Sequence, residues 1–188
     1  MANISHSTLT DPYLHEPKGV ATATSGEVYV ATGAGSGVWK PADSHIDGYI
    51  SYDATTPAYS HSTTTSDTPL NPTFVISTSK NFSGVSSPNA RLVYSGSDAV
   101  YGSINFSASM RQASGTSKDV QISIVKNGVE LTGTRNITTI ASGSWNNISI
   151  STISTISTSD YFEVFIKADG AHTTLFATAQ LTISCYPG

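Results

Sequence analysis

Charged side chains are scarce in this chain. Asp, Glu, Lys and Arg make up 12% of its 188 residues, against roughly 25% in an ordinary soluble domain. The nine Lys and Arg residues are spread along the chain, and the formal net charge is −4. Nucleic acids and anionic membrane surfaces both require clustered cations close to their phosphates. The composition therefore predicts no nucleic-acid partner and no binding to an acidic membrane.

Cysteine is nearly absent as well. The single Cys185 excludes an intrachain disulfide and a cysteine-based zinc site, and we expect it to be a small buried residue. No segment approaches the roughly 18 apolar residues of a membrane helix. The start of the chain, MANISHSTLTDPYLHEP, lacks the basic and apolar regions of a secretory signal. These features predict synthesis in a cytosol and no membrane insertion.

Apolar residues do not recur at helical spacing in this sequence. From residue 74 onward they alternate with polar residues instead. Apolar and polar residues alternate over 104–111 and again over 120–124, which is typical of half-buried antiparallel strands. Asn127-Gly128 between two apolar runs predicts a two-residue hairpin. In the last strand, 175–185, alternation puts Leu175 and Ala179 on one face and Phe176 on the other. About eight strands in this region predict a two-sheet sandwich, either jelly-roll or immunoglobulin-like.

The block from Leu92 to Tyr186 resembles the TNF/C1q-like jelly roll, and it lacks the Cys–Trp–Cys spacing of an immunoglobulin domain. The similarity lies in the segments RLVY (91–94), YGSINF (101–106), IVKNGV (124–129), GSWNNI (143–148) and DYFEVF (160–165). The resemblance implies a tight threefold homotrimer. Aromatic residues beyond those needed for one core suit such an interface, and the predicted interface residues are Tyr94, Tyr101, Phe165, Phe176 and Tyr186.

The segment from His15 to Trp39 has a different character, which is typical of an attachment device. Glycines surround one short β-pattern over 27–31, and the run ends on a large aromatic. Glycine allows close backbone approach, and Val and Tyr favour extended structure. A tryptophan is a common interface anchor, so we expect Trp39 to pack against a partner. The predicted partner-binding residues are His15, Pro17, Lys18, Gly19, Val28, Tyr29, Val30 and Trp39.

Three short motifs in this segment, HEPKG (15–19), GEVYV (26–30) and GSGVW (35–39), resemble the N-terminal stretch of head-decoration and fibre proteins of tailed bacteriophages. This resemblance implies a virion protein attached through its N-terminus. We accordingly divide the chain into an anchoring segment (1–45), an extended linker rich in Pro, Ser and Thr (46–72), and a jelly-roll domain (73–188).

The sequence contains no clear catalytic, nucleotide-binding or metal-binding motif. The glycines at 33, 35 and 37 lack the spacing and the following helix of a nucleotide loop, and the five histidines contain no pair at metal-ligand spacing. Ser44, His45 and Asp47 are a grouping expected by chance in a serine-rich chain. The neighbouring carboxylates are Asp160, Glu163 and Asp169, which we expect to be structural. We also expect Trp145 to pack in the core. The sequence thus predicts no catalytic residue, cofactor or metal.

The leading hypothesis is a structural virion protein, most simply a trimeric capsid decoration (cement or head-fibre) protein located at the capsid surface. Its partner would be the major capsid protein or another virion structural protein. The chain is short, has no fibrous shaft, and devotes its first third to attachment. One alternative is a receptor-binding tail-fibre tip. Another is a carbohydrate-binding or depolymerising module that recognises a host-surface glycan.

Overall fold

The described part of the chain consists of β-strands and connecting turns. The structure, a computed structural model, describes residues 23–25, 27–33, 36–41, 46–53, 59–72, 75–76, 80–85 and 89–186. Within these ranges no helix is long and apolar enough to span a membrane. The strands are β1 (Glu27–Gly33), β2 (Ser36–Pro41), β3 (Ile46–Asp53), β4 (Tyr59–Thr63), β5 (Thr68–Pro69), β6 (Val75–Ile76), β7 (Phe82–Val85), β8 (Arg91–Tyr94), β9 (Val100–Gln112), β10 (Lys118–Lys126), β11 (Val129–Glu130), β12 (Asn136–Ile140), β13 (Asn146–Ile156), β14 (Tyr161–Ala168) and β15 (His172–Tyr186).

The chain divides into two compact units, residues 1–44 and residues 45–188. In the first unit β1 and β2 form an antiparallel hairpin in which Tyr29 lies opposite Trp39. The strand predicted over 27–31 is therefore present, and it continues to Gly33. The second unit, which we call the β-domain, contains the remaining strands.

The β-domain is built from two sheets. Sheet I has the order β13-β9-β15-β3-β6, with β4 also paired to β15, and sheet II has the order β11-β10-β14-β8-β7, with β12 paired to β10 and β5 to β14. From β8 to β10 the chain crosses from sheet II to sheet I and back, and β13, β14 and β15 repeat this exchange. Two four-strand sets, β3-β15-β9-β13 and β8-β14-β10-β12, result, and this double Greek key is a jelly roll. The predicted all-β jelly-roll sandwich is thus confirmed.

Strand alternation explains where the core lies. In β9 every second residue, from Val100 to Gln112, is buried, and those between are wholly or partly exposed. Successive side chains in a strand point to opposite faces, so one row from each sheet meets in the interior. The fully buried large side chains include Tyr94, Phe106, Phe162, Phe176, Ile50, Leu70, Leu92, Ile104 and Met110. Cys185 is also buried, as predicted.

The hairpin predicted at Asn127-Gly128 is present. Both residues have positive φ, 52° and 79°, as a type I′ turn requires, and Lys126 pairs with Val129 across it. Asn127 tolerates this backbone because its side chain is held on both sides: its amide donates to Asp160 at 2.6 Å, and its carbonyl oxygen accepts from the Tyr161 backbone at 2.9 Å.

The structure differs from the prediction over 46–72, which we expected to be a linker. There β3 pairs with β15 over eight residue pairs, β4 pairs with the other half of β15, and β5 pairs with β14. Prolines and Ser/Thr runs surround these strands and weaken their sequence signal. Isolated apolar residues such as Ile50, which is 1% exposed, nevertheless belong to the core. Residues 46–72 therefore contribute strands to both sheets and belong to the β-domain.

Candidate attachment and assembly surfaces

The hairpin β1–β2 presents valines on one of its faces. Val28, Val30 and Val38 are 46%, 39% and 44% exposed, and Val30 lies opposite Val38 in the ladder. Residues opposite each other share a face, and so do alternate residues along one strand. We call these three residues the valine face. It is the kind of exposed apolar patch that a binding partner covers.

The other face of the hairpin carries its two aromatic residues. The rings of Tyr29 and Trp39 are 5.3 Å apart with an edge-to-face angle of 61°, a favourable geometry. Gly37 makes room for this pair, because a Cβ there would lie 2.5 Å from the Tyr29 ring. Trp39, expected to anchor a partner, thus also stabilises its own hairpin.

The predicted partner-binding residues are therefore distributed over two faces. Val28 and Val30 lie on one, and Tyr29 and Trp39 on the other, while His15, Pro17, Lys18 and Gly19 lie outside the described residues. Val38 was not among the residues predicted from the sequence. The alternation Gly37-Val38-Trp39 was the available signal, since it continues the two-residue period across the turn.

The outward face of sheet I is polar but uncharged over most of its area. Between Tyr101 and Ser109 of β9, and along the facing parts of β13 and β15, the described outward residues are mainly hydroxyl and amide side chains. They include Ser103, Asn105, Ser107, Ser109, Ser149, Ser151, Gln180, Thr182 and Ser184. Two large apolar residues stand at one end, Tyr101 (64% exposed) and Ile153 (75% exposed). Ile153 pairs with Ser103, which places it diagonally next to Tyr101. We call this surface the uncharged face.

Two of the predicted trimer residues are buried within a single chain. The Tyr94 ring lies 5.1 Å from Phe82 and its hydroxyl donates to the carbonyl of Asp98 at 2.9 Å. Phe176 is 0% exposed, because the β9–β15 register shifts at Ala177. The extra residue of such a bulge reverses the alternation. Phe176 therefore lies on the core face with Ala179, contrary to the prediction that separated them, and both aromatics belong to the intrachain core.

The remaining predicted interface residues do not form one patch. Tyr101 belongs to the uncharged face, whereas Phe165 is partly exposed on the outward side of sheet II. The backbone of Tyr186 pairs with Tyr101, and its side chain lies outside the described residues. Among the predicted interface aromatics whose side chains the structure describes, Tyr101 is the one left largely exposed.

Trp145 is also placed differently from the prediction. It is 43% exposed, because it lies in the turn before β13 rather than inside a strand. The guanidinium of Arg111 stacks on it with 4.9 Å between Cζ and the ring centroid. Arg111 is held there by a hydrogen bond that it donates to the carbonyl of Ser142 at 3.0 Å. This cation–π pair lies beyond the uncharged face, at the end of β9 opposite Tyr101.

The structure brings two histidines together. His61 of β4 lies opposite Thr174 of β15, and Thr63 lies opposite His172. We call these four residues the sandwich-end cluster. His61 is 9%, Thr63 1% and Thr174 0% exposed. Local sequence patterns carry no signal for this pairing, because the histidines are far apart along the chain and come close only when β4 pairs with β15.

The three carboxylates considered as acid/base candidates have separate partners. Asp160 accepts from the Ser157 backbone at 2.7 Å, and its ion pair with Lys126 also measures 2.7 Å. Burial alone would raise the pKa of Asp160, but these hydrogen bonds and that from Asn127 outweigh it and lower the pKa. Glu163 accepts from Asn89 at 3.1 Å, and Asp169 lies 3.7 Å from Lys118. Each carboxylate thus has a structural partner.

Across the ranges that the structure describes, no group of three or more His, Cys, Asp or Glu residues is placed to hold a metal ion.

The comparisons with known proteins concern the fold. No protein-family model and no curated protein sequence matches the chain. Solved structures of the TNF-like class are similar to it. Murine APRIL at pH 5.0 is 13% identical, with a TM-score of 0.48 over 76% of this chain and 99% of its own. The PRD1 vertex protein P5 is 10% identical, with a TM-score of 0.48 over 76% and 97%. Eiger TNF from S. frugiperda is 8% identical, with a TM-score of 0.49 over 76% and 92%.

Proposed function

We propose that this protein is a structural component of a tailed-phage virion, bound to the particle through its N-terminal unit and displaying the β-domain. The observation that carries the proposal is the valine face. Three exposed β-branched residues lie on one side of a two-stranded hairpin, and a two-stranded sheet is marginal by itself in water. A partner surface that covers the valines would stabilise the hairpin and hold the chain at the same time. The likeness of residues 15–39 to virion attachment segments supports the same role.

The partner that fits best is the major capsid protein, which makes this a capsid decoration protein at the capsid surface. The proposed binding mode is a flat apolar contact through the valines, with pairing of an open hairpin edge available in addition. A tail-fibre tip is the alternative position on the virion. A binding rather than a catalytic role is supported by the separate partners of Asp160, Glu163 and Asp169.

A host-surface glycan is a second candidate ligand, and exposed Trp145 favours it. An indole ring next to hydroxyl and amide side chains is a common combination for stacking on sugars. Glycan-array binding that is lost in Trp145→Ala would support this role. Glycan binding that persists in Trp145→Ala would show that Trp145 does not bind the glycan.

We further propose that the β-domain assembles as a homotrimer through the uncharged face. A surface without charges can be buried against copies of itself without desolvating unpaired ions. Tyr101 and Ile153 add large exposed apolar side chains at one end of this face, and apolar contacts of this kind stabilise an interface.

The attachment role is tested by adding purified protein to particles that lack it. We expect the triple variant Val28→Thr, Val30→Thr, Val38→Thr to lose most particle binding, because threonine keeps the β-propensity and removes apolar area. Bound protein is counted by electron microscopy and by sedimentation with the particles.

Trp39→Ala serves as the comparison on the opposite face. If Trp39 acts mainly on its own hairpin, this variant binds more weakly because the hairpin is less populated, and the melting of the β-domain is unchanged. Deleting residues 1–44 should abolish binding and leave the β-domain folded. If the deletion variant binds the particles at wild-type occupancy, the N-terminal unit is not the anchor.

A further inference from the structure

Arg111 and Trp145 lie together on the outward side of sheet I, beyond the uncharged face. Arg111 belongs to β9, and Trp145 directly precedes β13, the strand that pairs with β9. The Arg111 guanidinium stacks on the indole with 4.9 Å between Cζ and the ring centroid, and its Nη1 donates to the carbonyl of Ser142 at 3.0 Å. These two contacts fix the plane of the guanidinium. We call Arg111 and Trp145 the stacked pair.

Arg111 carries a charge that has no counter-ion in the described part of the chain. It takes no part in the ion pairs that the structure describes, which are Lys118–Asp169, Lys126–Asp160, Arg135–Glu130 and Lys167–Asp67. An arginine stays protonated in proteins and has five N–H donors. Nε of Arg111 is buried without an acceptor among the described residues, and the bond to Ser142 uses a single donor. The guanidinium is therefore incompletely satisfied, a state that favours binding of an external acceptor.

The described side chains next to the stacked pair are uncharged. Arg111 lies opposite Leu175 of β15, and Leu175 lies opposite Ser60 of β4. Asn147 of β13 pairs with Ser109, two residues before Arg111 on β9, which places Asn147 diagonally next to Arg111 on the same face. None of these neighbours is a carboxylate. An anion that approaches Arg111 therefore meets no like charge from them.

A second arginine stacks on an aromatic ring in a different setting. Arg91 of β8 lies over the ring of Tyr161, also at 4.9 Å, and its Nε is likewise buried without an acceptor in the described chain. Phe162 pairs with Leu92, so the antiparallel register brings Glu163 towards Arg91. That carboxylate would repel an anion at Arg91. The same stacking thus occurs beside a carboxylate on sheet II and among uncharged neighbours on sheet I.

We propose that the stacked pair binds a carboxylate-bearing sugar of an acidic glycan. The carboxylate accepts charge-assisted hydrogen bonds from Arg111, and the apolar side of the sugar ring packs against the indole of Trp145, which is 43% exposed. Sugar hydroxyls pair with the exposed amide of Asn147. This inference rests on the proposed role in binding a host-surface glycan, and it adds the chemical class of that glycan.

An acidic side chain of a protein partner would offer Arg111 the same carboxylate. The surroundings favour the glycan, because Ser60, Ser109 and Asn147 supply hydroxyl and amide groups that sugar hydroxyls can pair with. A protein interface has an apolar core, and the positions around the stacked pair carry mainly polar side chains. The protein partner is therefore an outcome that the experiment must be able to report.

An array of matched glycans tests the inference with the full chain. Glycans that contain glucuronic, galacturonic or N-acetylneuraminic acid are each printed beside the same glycan with its carboxyl groups reduced to alcohols. We expect the wild type to bind at least one acidic form about tenfold more tightly than its reduced form, because hydrogen bonds to charged groups are the stronger ones. The preference should shrink as salt is added. Calorimetric titration of that pair in solution gives the two dissociation constants.

Three variants locate the site. Arg111→Gln should bind the acidic and reduced forms equally, and Trp145→Ala should weaken binding of both. Arg91→Gln is the matched control, since it removes the other stacked arginine, and it should keep the wild-type preference. If Arg111→Gln does not fold, Arg111→Lys replaces it. Lysine keeps the charge but lacks the planar fork, so this variant should bind the acidic form more weakly than the wild type does.

The outcomes separate this inference from the glycan-binding role on which it rests. Equal binding of acidic and reduced glycans by the wild type would overturn the inference and leave a glycan role for Trp145. Binding to no printed glycan would overturn both. An acid preference that persists in Arg111→Gln, or that disappears in Arg91→Gln, would contradict the assigned site. So would a change of oligomer mass in Arg111→Gln with unchanged glycan binding, which would make Arg111 a contact between copies of the chain.

Discussion

At the scale of single residues, glycine positions show how tightly the β-domain is packed. A Cβ at Gly102 would lie 2.6 Å from Ile156 Cδ1 and 2.8 Å from Cys185 Sγ, distances that real Cβ atoms do not adopt. Gly102 lies on the core side of β9, where both neighbours are fully buried. Its absent side chain is therefore part of the fit between sheet I and the core.

We predict that Gly102→Ala destabilises the domain by about 1–3 kcal/mol through overpacking, measured by urea or thermal denaturation. Gly143→Ala is the matched control, because it lies in an exposed turn and a Cβ there meets nothing within 4 Å. It should leave stability within about 0.5 kcal/mol of the wild type. Equal effects of the two substitutions would mean that core packing at Gly102 is not the cause.

At the scale of elements, the loop before β14 and the turn after β10 are held together by one carboxylate. Asp160 is bound by Lys126, Asn127 and the backbone of Ser157. Its net pKa is lowered in the folded chain, so the folded state binds its proton less readily than the unfolded state. This contribution to stability is present above the ordinary pKa of about 3.9 and is lost as the pH falls below it.

We therefore predict that Asp160→Asn lowers the melting temperature at pH 7 and reduces the further loss seen on acidification from pH 5 to pH 3. Asp98→Asn, at a carboxylate without such an ion pair among those described, is the control and should retain the wild-type acid response. Melting curves followed by circular dichroism at each pH make the comparison. An unchanged acid response in Asp160→Asn would assign the acid sensitivity of this range to other carboxylates.

The strands and turns also show which parts of the fold could be predicted from sequence. Long strands such as β9 and the hairpin at Asn127-Gly128 follow from local signals, namely period-two alternation and a turn that needs positive φ. The bulge at Ala177 does not, because one extra residue leaves the composition unchanged while it moves Phe176 to the core face. Strands β3 and β4 lie among prolines and threonines. They are stabilised by pairing with β15, a contact distant in sequence that local patterns do not reveal.

The surfaces were the least predictable part for the same reason. Val28 and Val30 could be identified from a short β-pattern, but the valine face becomes visible only when Val38 is placed opposite Val30. The sandwich-end cluster likewise requires the β4–β15 register. Two aromatics that the sequence analysis assigned to a predicted interface, Tyr94 and Phe176, fill the interior of one chain.

At the scale of the whole molecule, the two outward faces of the β-domain differ in charge. The described outward residues of sheet II include Lys167, Asp119 and Arg135, and Arg135 forms a salt bridge with Glu130. The uncharged face of sheet I has hydroxyls and amides in the corresponding area. Burying sheet II against another copy would desolvate several ions, whereas burying the uncharged face would not. The proposed trimer therefore uses sheet I.

A pair of isoleucines allows this choice to be tested in solution. Ile153 is 75% exposed on the uncharged face, and Ile137 is 61% exposed on β12 of sheet II. We predict that Ile153→Lys converts the trimer to monomer at micromolar concentration, because it places a charge in an interface that has no counter-ion for it. Ile137→Lys should leave the trimer intact. Light scattering gives the mass of each species, and circular dichroism shows that the β-structure is retained. A monomeric wild type, or loss of the trimer in Ile137→Lys but not in Ile153→Lys, would rule out assembly through the uncharged face.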